Sequence, residues 1–292
     1  SAIKKASKKT GDWRLEDCTM YVTLEPCSRP GRVGACTDAI IASGIKKVVY
    51  ACPDPNPANR NKARKILEKS HIKVECWAES KNKKEKEFAF GIWQALLKPF
   101  AKHVNTSLPY VTVKLAMSLD GRICDDSGSS RWISCREMLK ETARWREKAD
   151  VVMVGANTVR HDDPSLLCHT RENKDLYRAV ISKSGRLPAG SQIFNDSAKD
   201  RTLVYSDPKE AIEDLGRRGF MSVLCEGGLS LASSLAELGL ADEFVTILCP
   251  MVIGKGKLSS ARRFISAIPV VKGSDVMTRS FSKYGQCPFF KV

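Results

Sequence analysis

Histidine is scarce in this sequence. There are four in 292 residues, His71, His103, His161 and His169, and none precedes the Pro26-Cys27 pair. Long hydrophobic runs are missing too. No stretch approaches the ~20 apolar residues that cross a bilayer, so no membrane partner is expected. The basic opening SAIKKASKKTGDW lacks the apolar core of a secretory signal. No repeat or low-complexity tract is present, and the Gly-x-Gly-x-x-Gly fingerprint of the common dinucleotide fold is absent. Acidic residues are the minority charge, 33 against 48 Lys and Arg, for a net +15. That excess draws anions: phosphorylated small molecules, a phosphorylated nicotinamide or nucleic acid. The basic run 81–86 carries no interleaved aromatics for stacking bases, so nucleic acid is not the expected partner.

What is present reads as an ordinary globular chain of two domains, with 42% hydrophobic and 28% charged residues. Eleven cysteines are many, but the count is odd and the spacing irregular. A secreted disulfide framework is usually shorter and evenly numbered. The expectation is a reducing, cytoplasmic setting with most thiols buried. The first residue is Ser, which sets the expectation that the reading frame extends upstream or is processed.

Strands and helices alternate. Residues 20–24, 47–52 and 72–77 read as strands, and 36–42 and 61–69 as helices. A charged, then amphipathic, helix over 81–102 leads to a second unit. There, 110–116, 151–154, 179–182, 202–205, 221–225 and 243–248 read as strands, and 136–148 and 230–238 as helices. The pattern predicts two α/β domains with mainly parallel sheets, spanning 1–104 and 105–292.

Two constellations carry chemistry. In the first, Cys27 follows a strand and Cys36 opens a helix nine positions on. Thiolates so placed can share one tetrahedral metal, and a helix N-terminus lowers a thiol pKa. Among eleven cysteines, an accidental pair is the plain alternative. In the second, Gly155-Ala156-Asn157-Thr158 and Gly227-Gly228 each lie just past a strand. If both strands are parallel, these loops share a sheet edge and together can hold a dinucleotide, with a helix N-terminus offering free N–H donors to its phosphates. Structural turns are the plain alternative for each.

The stretch Thr23-Leu24-Glu25-Pro26-Cys27-Ser28-Arg29-Pro30-Gly31-Arg32 through Cys36, then Asp38-Ala39-Ile40, Gly44 and Asp54-Pro55-Asn56-Pro57, resembles the deaminase half of bifunctional riboflavin-biosynthesis deaminase–reductases. Four further segments resemble their reductase half: 114–122 (KLAMSLDGR), 128–134 (GSSRWIS), 155–166 (GANTV to DDPSL), and 225–230 (CEGGLS) with Leu240-Ala241-Asp242-Glu243 and Pro250. The likeness covers about residues 18 to 255. It implies a cytidine-deaminase-like three-layer domain, incomplete at its start, followed by a dihydrofolate-reductase-like α/β domain. By it, Cys27 and Cys36 are ligands of a zinc ion. The third ligand and a proton-shuttling Glu come from a His-Ala-Glu motif in the family, and Ser1-Ala2-Ile3 looks like the helix just past that motif. Two accounts fit: an upstream segment, or a relic deaminase. His71, before the third strand, sits at the wrong sheet edge to replace the ligand.

In the reductase half, the resemblance implies an NADPH site of Ala116, Trp132, Thr158, Asp162, Gly228, Leu229 and Ser230. It implies substrate contacts from Ser130, Leu166 and Glu226. The family's phosphate-reading Arg is out of register here, leaving Arg171 or His169 for that contact. The substrate implied is a phosphorylated pyrimidine: a diaminopyrimidine is deaminated and its ribosyl group reduced to ribityl. Asp162, Glu226 or Lys114 supports the reduction, and sequence does not rank them. Asp120 either borders the site or caps its Asp-Gly turn. A homodimer through the reductase domain is expected. The rival readings are a reductase with a relic deaminase domain, and a basic nucleic-acid-binding module on a deaminase fold.

Overall fold

The computed structural model describes residues 2–31, 34–126, 133–167, 176–254, 268–272 and 275–281. The chain divides into two compact units, one running to Asn105 and the other from Thr106.

The first unit begins with α1 (Ala2–Thr10), followed by β1 (Thr19–Leu24), α2 (Cys36–Ala42), β2 (Lys47–Cys52), α3 (Lys62–Lys69) and β3 (Lys73–Cys76). The three strands form a parallel sheet in the order β1-β2-β3. The central strand β2 is buried at every position after Lys47, as befits a strand covered on both faces. Leu15, Ile40, Val48, Ala63 and Leu67 gather α1, α2 and α3 into one cluster. Tyr50, Cys52, Cys76, Ala89 and Trp93 form the other. Gly44 closes α2 at φ +74°, where a side chain is strained. Asn61, expected inside α3, stands just before it at φ 59°, a left-handed geometry that Asn tolerates better than most residues.

The connector helix is broken in register. It runs as α4 (Lys83–Ile92), a π turn (Trp93–Leu97) and α5 (Lys98–Thr106). Pro99 explains the turn. Proline cannot donate to the carbonyl four residues back, here Ala95, and its ring clashes with it; widening the helix over 93–97 relieves both.

The second unit carries β4 (Tyr110–Ser118), α6 (Arg136–Lys148), β5 (Val151–Gly155), α7 (Ala156–Asp162), β6 (Tyr177–Ile181), α8 (Gln192–Asn195), β7 (Thr202–Tyr205), α9 (Pro208–Arg217), β8 (Ser222–Cys225), α10 (Leu229–Glu237), β9 (Glu243–Cys249), β10 (Ile268–Lys272) and β11 (Asp275–Phe281). They build an eight-stranded sheet, β10-β11-β9-β4-β8-β5-β6-β7. The β9-β11-β10 edge is antiparallel and the remaining pairs are parallel. Val151 to Val154 are fully buried and alternate between two cores: Val151 and Met153 pack with Val223, Ile212 and Leu235, while Val152 and Val154 pack with Val180 and Ile193. A third cluster joins Met138 of α6 to Val245, Ile247 and Cys249 of β9.

Strand lengths in the middle of the sheet are unequal. The pairing of β4 with β8 ends at Val113 opposite Cys225, while β4 continues to Ser118 alongside β9. A crevice therefore opens beside β4 at the carboxyl ends of β8 and β5. Gly216 sets α9 directly on the chain leading into β4; a Cβ there would lie 2.1 Å from the Ser107 carbonyl oxygen.

Candidate active sites

In the first unit, Glu25 organises the strand end that carries Cys27. Its buried carboxylate accepts from the amides of Asp54 (3.1 Å), Asn61 (3.0 Å) and Ala63 (3.2 Å), tying β1 to the 54–57 loop and the start of α3. Asn59 continues the network, accepting from the Ser28 amide at 2.8 Å and donating to Asp54 at 2.6 Å. Cys27 then faces the N-terminus of α2. Its sulfur accepts from the Cys36 amide at 3.2 Å and lies 3.0 Å from the Cys36 sulfur. The Cys36 thiol is pushed up, by burial first and then by the Cys27 sulfur; this outweighs the lowering expected at a helix N-terminus. Two thiolates on one tetrahedral zinc sit ~3.8 Å apart at ordinary bond lengths, so a modest opening of the pair accommodates the ion. Among the described residues no group of three or more His, Cys, Asp or Glu is placed to hold a metal. His71 precedes β3, at the opposite end of the parallel sheet from Cys27.

In the second unit, β5 and β8 are adjacent and parallel, so the loops after them emerge side by side. They line a cleft of about 430 Å³ that includes Ala156, Thr158, Asp162, Gly228, Leu229 and Ser230. Arg160 and Lys183 bring positive charge to its walls. A Cβ on Gly228 would meet nothing within 4 Å, so the backbone at the start of α10 stands open there; Gly227 instead packs against Leu231. A second pocket of about 160 Å³ shares Ile123, Thr158, Asp162 and Gly228 with the first and adds Lys114, Ala116 and Glu226.

Electrostatics in the smaller pocket are specific. Glu226, its side chain only 9% exposed, is gripped by Arg146 from α6, whose Nη2 donates to one carboxylate oxygen at 2.9 Å and whose Nε donates to the other. Burial alone would raise the Glu226 pKa; the Arg146 charge and hydrogen bonds win, and it falls below the usual carboxylate range. Burial lowers the Lys114 pKa, against the pull of the Glu226 carboxylate.

The structure thus brings Lys114, Ala116, Thr158, Asp162, Glu226, Gly228, Leu229 and Ser230 around two adjoining pockets. Leu166, expected at the substrate, lines neither. Left-handed backbone at Asp163 (φ 39°) and at Leu166 itself (φ 57°) turns its side chain into the cluster of Val152, Val154 and Val159. Asp120 caps its turn: it accepts from the Ser118 hydroxyl and from the Gly254 amide at 2.8 Å, and these bonds hold it at about 2. Ser130, Trp132, His169 and Arg171 lie outside the described residues. Sequence reasoning missed Arg146 and Lys183. Nothing distinguishes Arg146 from the other basic residues of α6, whereas Lys183 follows a strand that had been read correctly.

A family model described as the RibD C-terminal domain matches residues 109–274, more than half the chain. This chain belongs to the RibD family. A second model, the cytidine and deoxycytidylate deaminase zinc-binding region, matches residues 1–52. The riboflavin biosynthesis protein RibD of Aquifex aeolicus is 30% identical over 266 residues, covering 83% of this chain and 72% of that protein. That of Corynebacterium ammoniagenes is 33% identical over 264 residues, covering 87% and 72%. Among solved structures, the diaminohydroxyphosphoribosylaminopyrimidine deaminase/5-amino-6-(5-phosphoribosylamino)uracil reductase of Thermotoga maritima superposes with a TM-score of 0.81 at 26% identity, covering 95% of this chain and 82% of that one. Acinetobacter baumannii RibD gives 0.74 at 28% identity, covering 90% and 80%. Membership makes the chain a riboflavin-biosynthesis enzyme of the deaminase–reductase kind, acting on a small molecule. A relic-only or nucleic-acid-binding reading is not favoured. Among the described residues no helix is long and apolar enough to cross a membrane.

Proposed function

We propose that the second unit reduces the ribosyl group of 5-amino-6-(5-phosphoribosylamino)uracil to ribityl with NADPH. The observation that carries this is the pair of parallel strand ends, β5 and β8, whose loops line one cleft opening onto Lys114, Asp162 and Glu226. The cleft suits a dinucleotide phosphate: positive walls, an open glycine backbone and a helix N-terminus. Thr158, Gly228, Leu229 and Ser230 hold the dinucleotide, with Ala116 and Asp162 where the two pockets meet. Bound NADPH supplies the hydride. The ribosylamine must present its ring-opened C=N form. As hydride adds to the carbon, a proton must reach the nitrogen. Lys114 is the favoured donor, being a cation whose proton affinity burial has reduced. Glu226, held ionised by Arg146, serves as acceptor rather than acid. The Ser130, Trp132 and Arg171 assignments stand as part of the same reading, as does a homodimer in a reducing, cytoplasmic setting.

In the first unit, Cys27 and Cys36 supply two thiolates to zinc. A zinc ion held there would supply the Lewis acidity for deamination of the preceding diaminopyrimidine. Glu25 fixes the cysteine-bearing strand end against α3. Titration calorimetry with NADPH tests the reductase assignment. Binding below millimolar concentration is expected, and no heat with NADPH would overturn it.

A further inference from the structure

Beyond Glu25, a second side chain acts on the cysteine-bearing loop. Asn59 is only 7% exposed and sits on a turn, its amide donating to the Asn56 carbonyl at 3.0 Å and its carbonyl accepting from the Lys62 amide at 3.1 Å. Its side-chain Oδ1 accepts from the Ser28 amide at 2.8 Å and from the Ser28 hydroxyl at 2.7 Å. Its Nδ2 donates to Asp54 Oδ2 at 2.6 Å. We infer that Asn59 is a positioning residue of the deaminase site, pinning the peptide plane between Cys27 and Ser28 and so setting the Cys27 sulfur against Cys36 for a shared metal. The inference rests on the reading above in which these two cysteines hold zinc.

The peptide unit joining Cys27 to Ser28 has one N–H and one C=O, and both are taken. The N–H, of Ser28, donates to Asn59; the C=O, of Cys27, accepts from the Thr37 amide at 3.2 Å. Thr37 directly follows Cys36, whose own amide donates to the Cys27 sulfur at 3.2 Å. One peptide plane is therefore clamped between the turn at Asn59 and the first turn of α2, beside both sulfurs. Rotating it would break its bond to α2 and let the sulfurs drift out of register. The direction of the Asn59 amide is forced by its neighbours. A carboxylate only accepts, so the NH2 must face Asp54 and the oxygen must face the two Ser28 donors. Reversed, the amide would set oxygen against oxygen at 2.6 Å and N–H against N–H. The other Asp54 oxygen holds the Asn56 amide at 2.8 Å, and the Asp54 amide donates to Glu25, so the clamp is tied back to β1. Hydrogen-bond partners that orient a metal's ligands without touching the metal are worth roughly ten- to a hundredfold in its affinity.

The test is titration of the full, metal-stripped chain with Co(II), followed by the thiolate-to-cobalt charge-transfer absorption, and then with zinc, which displaces the cobalt. Asn59→Leu keeps the size of the side chain and removes its three hydrogen bonds. It is expected to weaken the charge-transfer band and to lower zinc affinity roughly ten- to a hundredfold. Asn59→Asp still accepts from Ser28 but sets a carboxylate against Asp54, and should lose roughly tenfold. The exchange Asp54→Asn/Asn59→Asp restores one donor facing one acceptor, with the roles reversed, and should recover most of that loss. Recovery by exchange is what separates a positioning role from packing. Wild-type zinc affinity in Asn59→Leu, with only the metal-free Tm lowered, overturns the inference. So does an exchange variant that binds no better than Asn59→Asp alone. Should Asn59→Leu fail to fold, Asn59→Asp and the exchange variant decide by the same comparison. A wild type that develops no charge-transfer band overturns the zinc reading itself, and the inference with it; a wild type that binds alongside an unaffected variant overturns the inference alone.

Discussion

Replacing Arg178 with Met would test how the loop after α7 is held. The Arg178 side chain on β6 is fully buried. Its guanidinium donates to both oxygens of Asp196, at 2.5 and 2.9 Å, and to the carbonyls of Ser165 (2.8 Å) and Ile193 (2.9 Å). It therefore fastens the segment following Asp162 to α8. Methionine fills much of the volume but leaves the Asp196 carboxylate without its counter-ion and removes the guanidinium donor from the Ser165 and Ile193 carbonyls, of which Ile193 keeps the Thr202 hydroxyl at 3.0 Å. Breaking a buried pair from one side costs about 3–5 kcal/mol; Asp196 is 19% exposed and keeps the Ala198 amide, which favours the low end, about 3 kcal/mol. A unit of this size loses ~2–4 °C per kcal/mol, so Tm should fall by roughly 6–12 °C. Adding Asp196→Asn removes the stranded charge, and the double variant should recover about 1 kcal/mol or more relative to additivity. Differential scanning calorimetry on the four proteins reads this. A Tm loss under ~2 °C for Arg178→Met, or strict additivity, refutes the reasoning.

Three other outcomes follow from the geometry. Gly216→Ala gains ~1 kcal/mol of helix propensity, but its Cβ would meet the Ser107 carbonyl at 2.1 Å. Relieving such a backbone clash costs ~1–3 kcal/mol or more, so a lower urea midpoint is expected, and a higher one would reverse the sign. Glu226 has a lowered pKa in the fold, so the stability it contributes is present above the usual carboxylate range and lost as pH falls through its depressed value. Arg146→Met should flatten that acid limb in denaturant titrations followed across pH; an unchanged limb counts against the ion pair. Zinc retained by the wild type after gel filtration should be lost in Cys36→Ser, as read by atomic absorption. Equal retention in a Cys27→Ser/Cys36→Ser double variant removes the pair from any metal role.

Most elements were legible because local signals and burial agree. The helix α2 and the strand β2 fall where Gly44 and an apolar run place them. The helix α9 went unread although its signals were present: Asp207 caps the Lys209 and Glu210 amides, and Pro208 opens the first turn. The helix α7 hid inside a motif read as a loop, because a strand running straight into a helix through Gly155 leaves no turn residues to mark it. The strands β10 and β11 form the antiparallel edge, where pairing of β11 with β9 and of β10 with β11, not composition, makes the structure. At the site, glycines and acids advertised themselves through their neighbours. Arg146 did not, since its role depends on Glu226, 80 residues away. The left-handed turn at Leu166 was not legible, because sequence gives side-chain identity and not backbone handedness.

The early stop of β8 has one more consequence. Past Val113, the flank of β4 that faced β8 has no strand beside it among the described residues, while β9 still braces the other flank through Ser118. The crevice is thus a ledge of extended peptide rather than a hollow scooped from side chains. Its depth is set by how many residues one strand outruns its neighbour. Point substitutions along the rim would alter what the ledge grips, whereas only lengthening β8 would fill it.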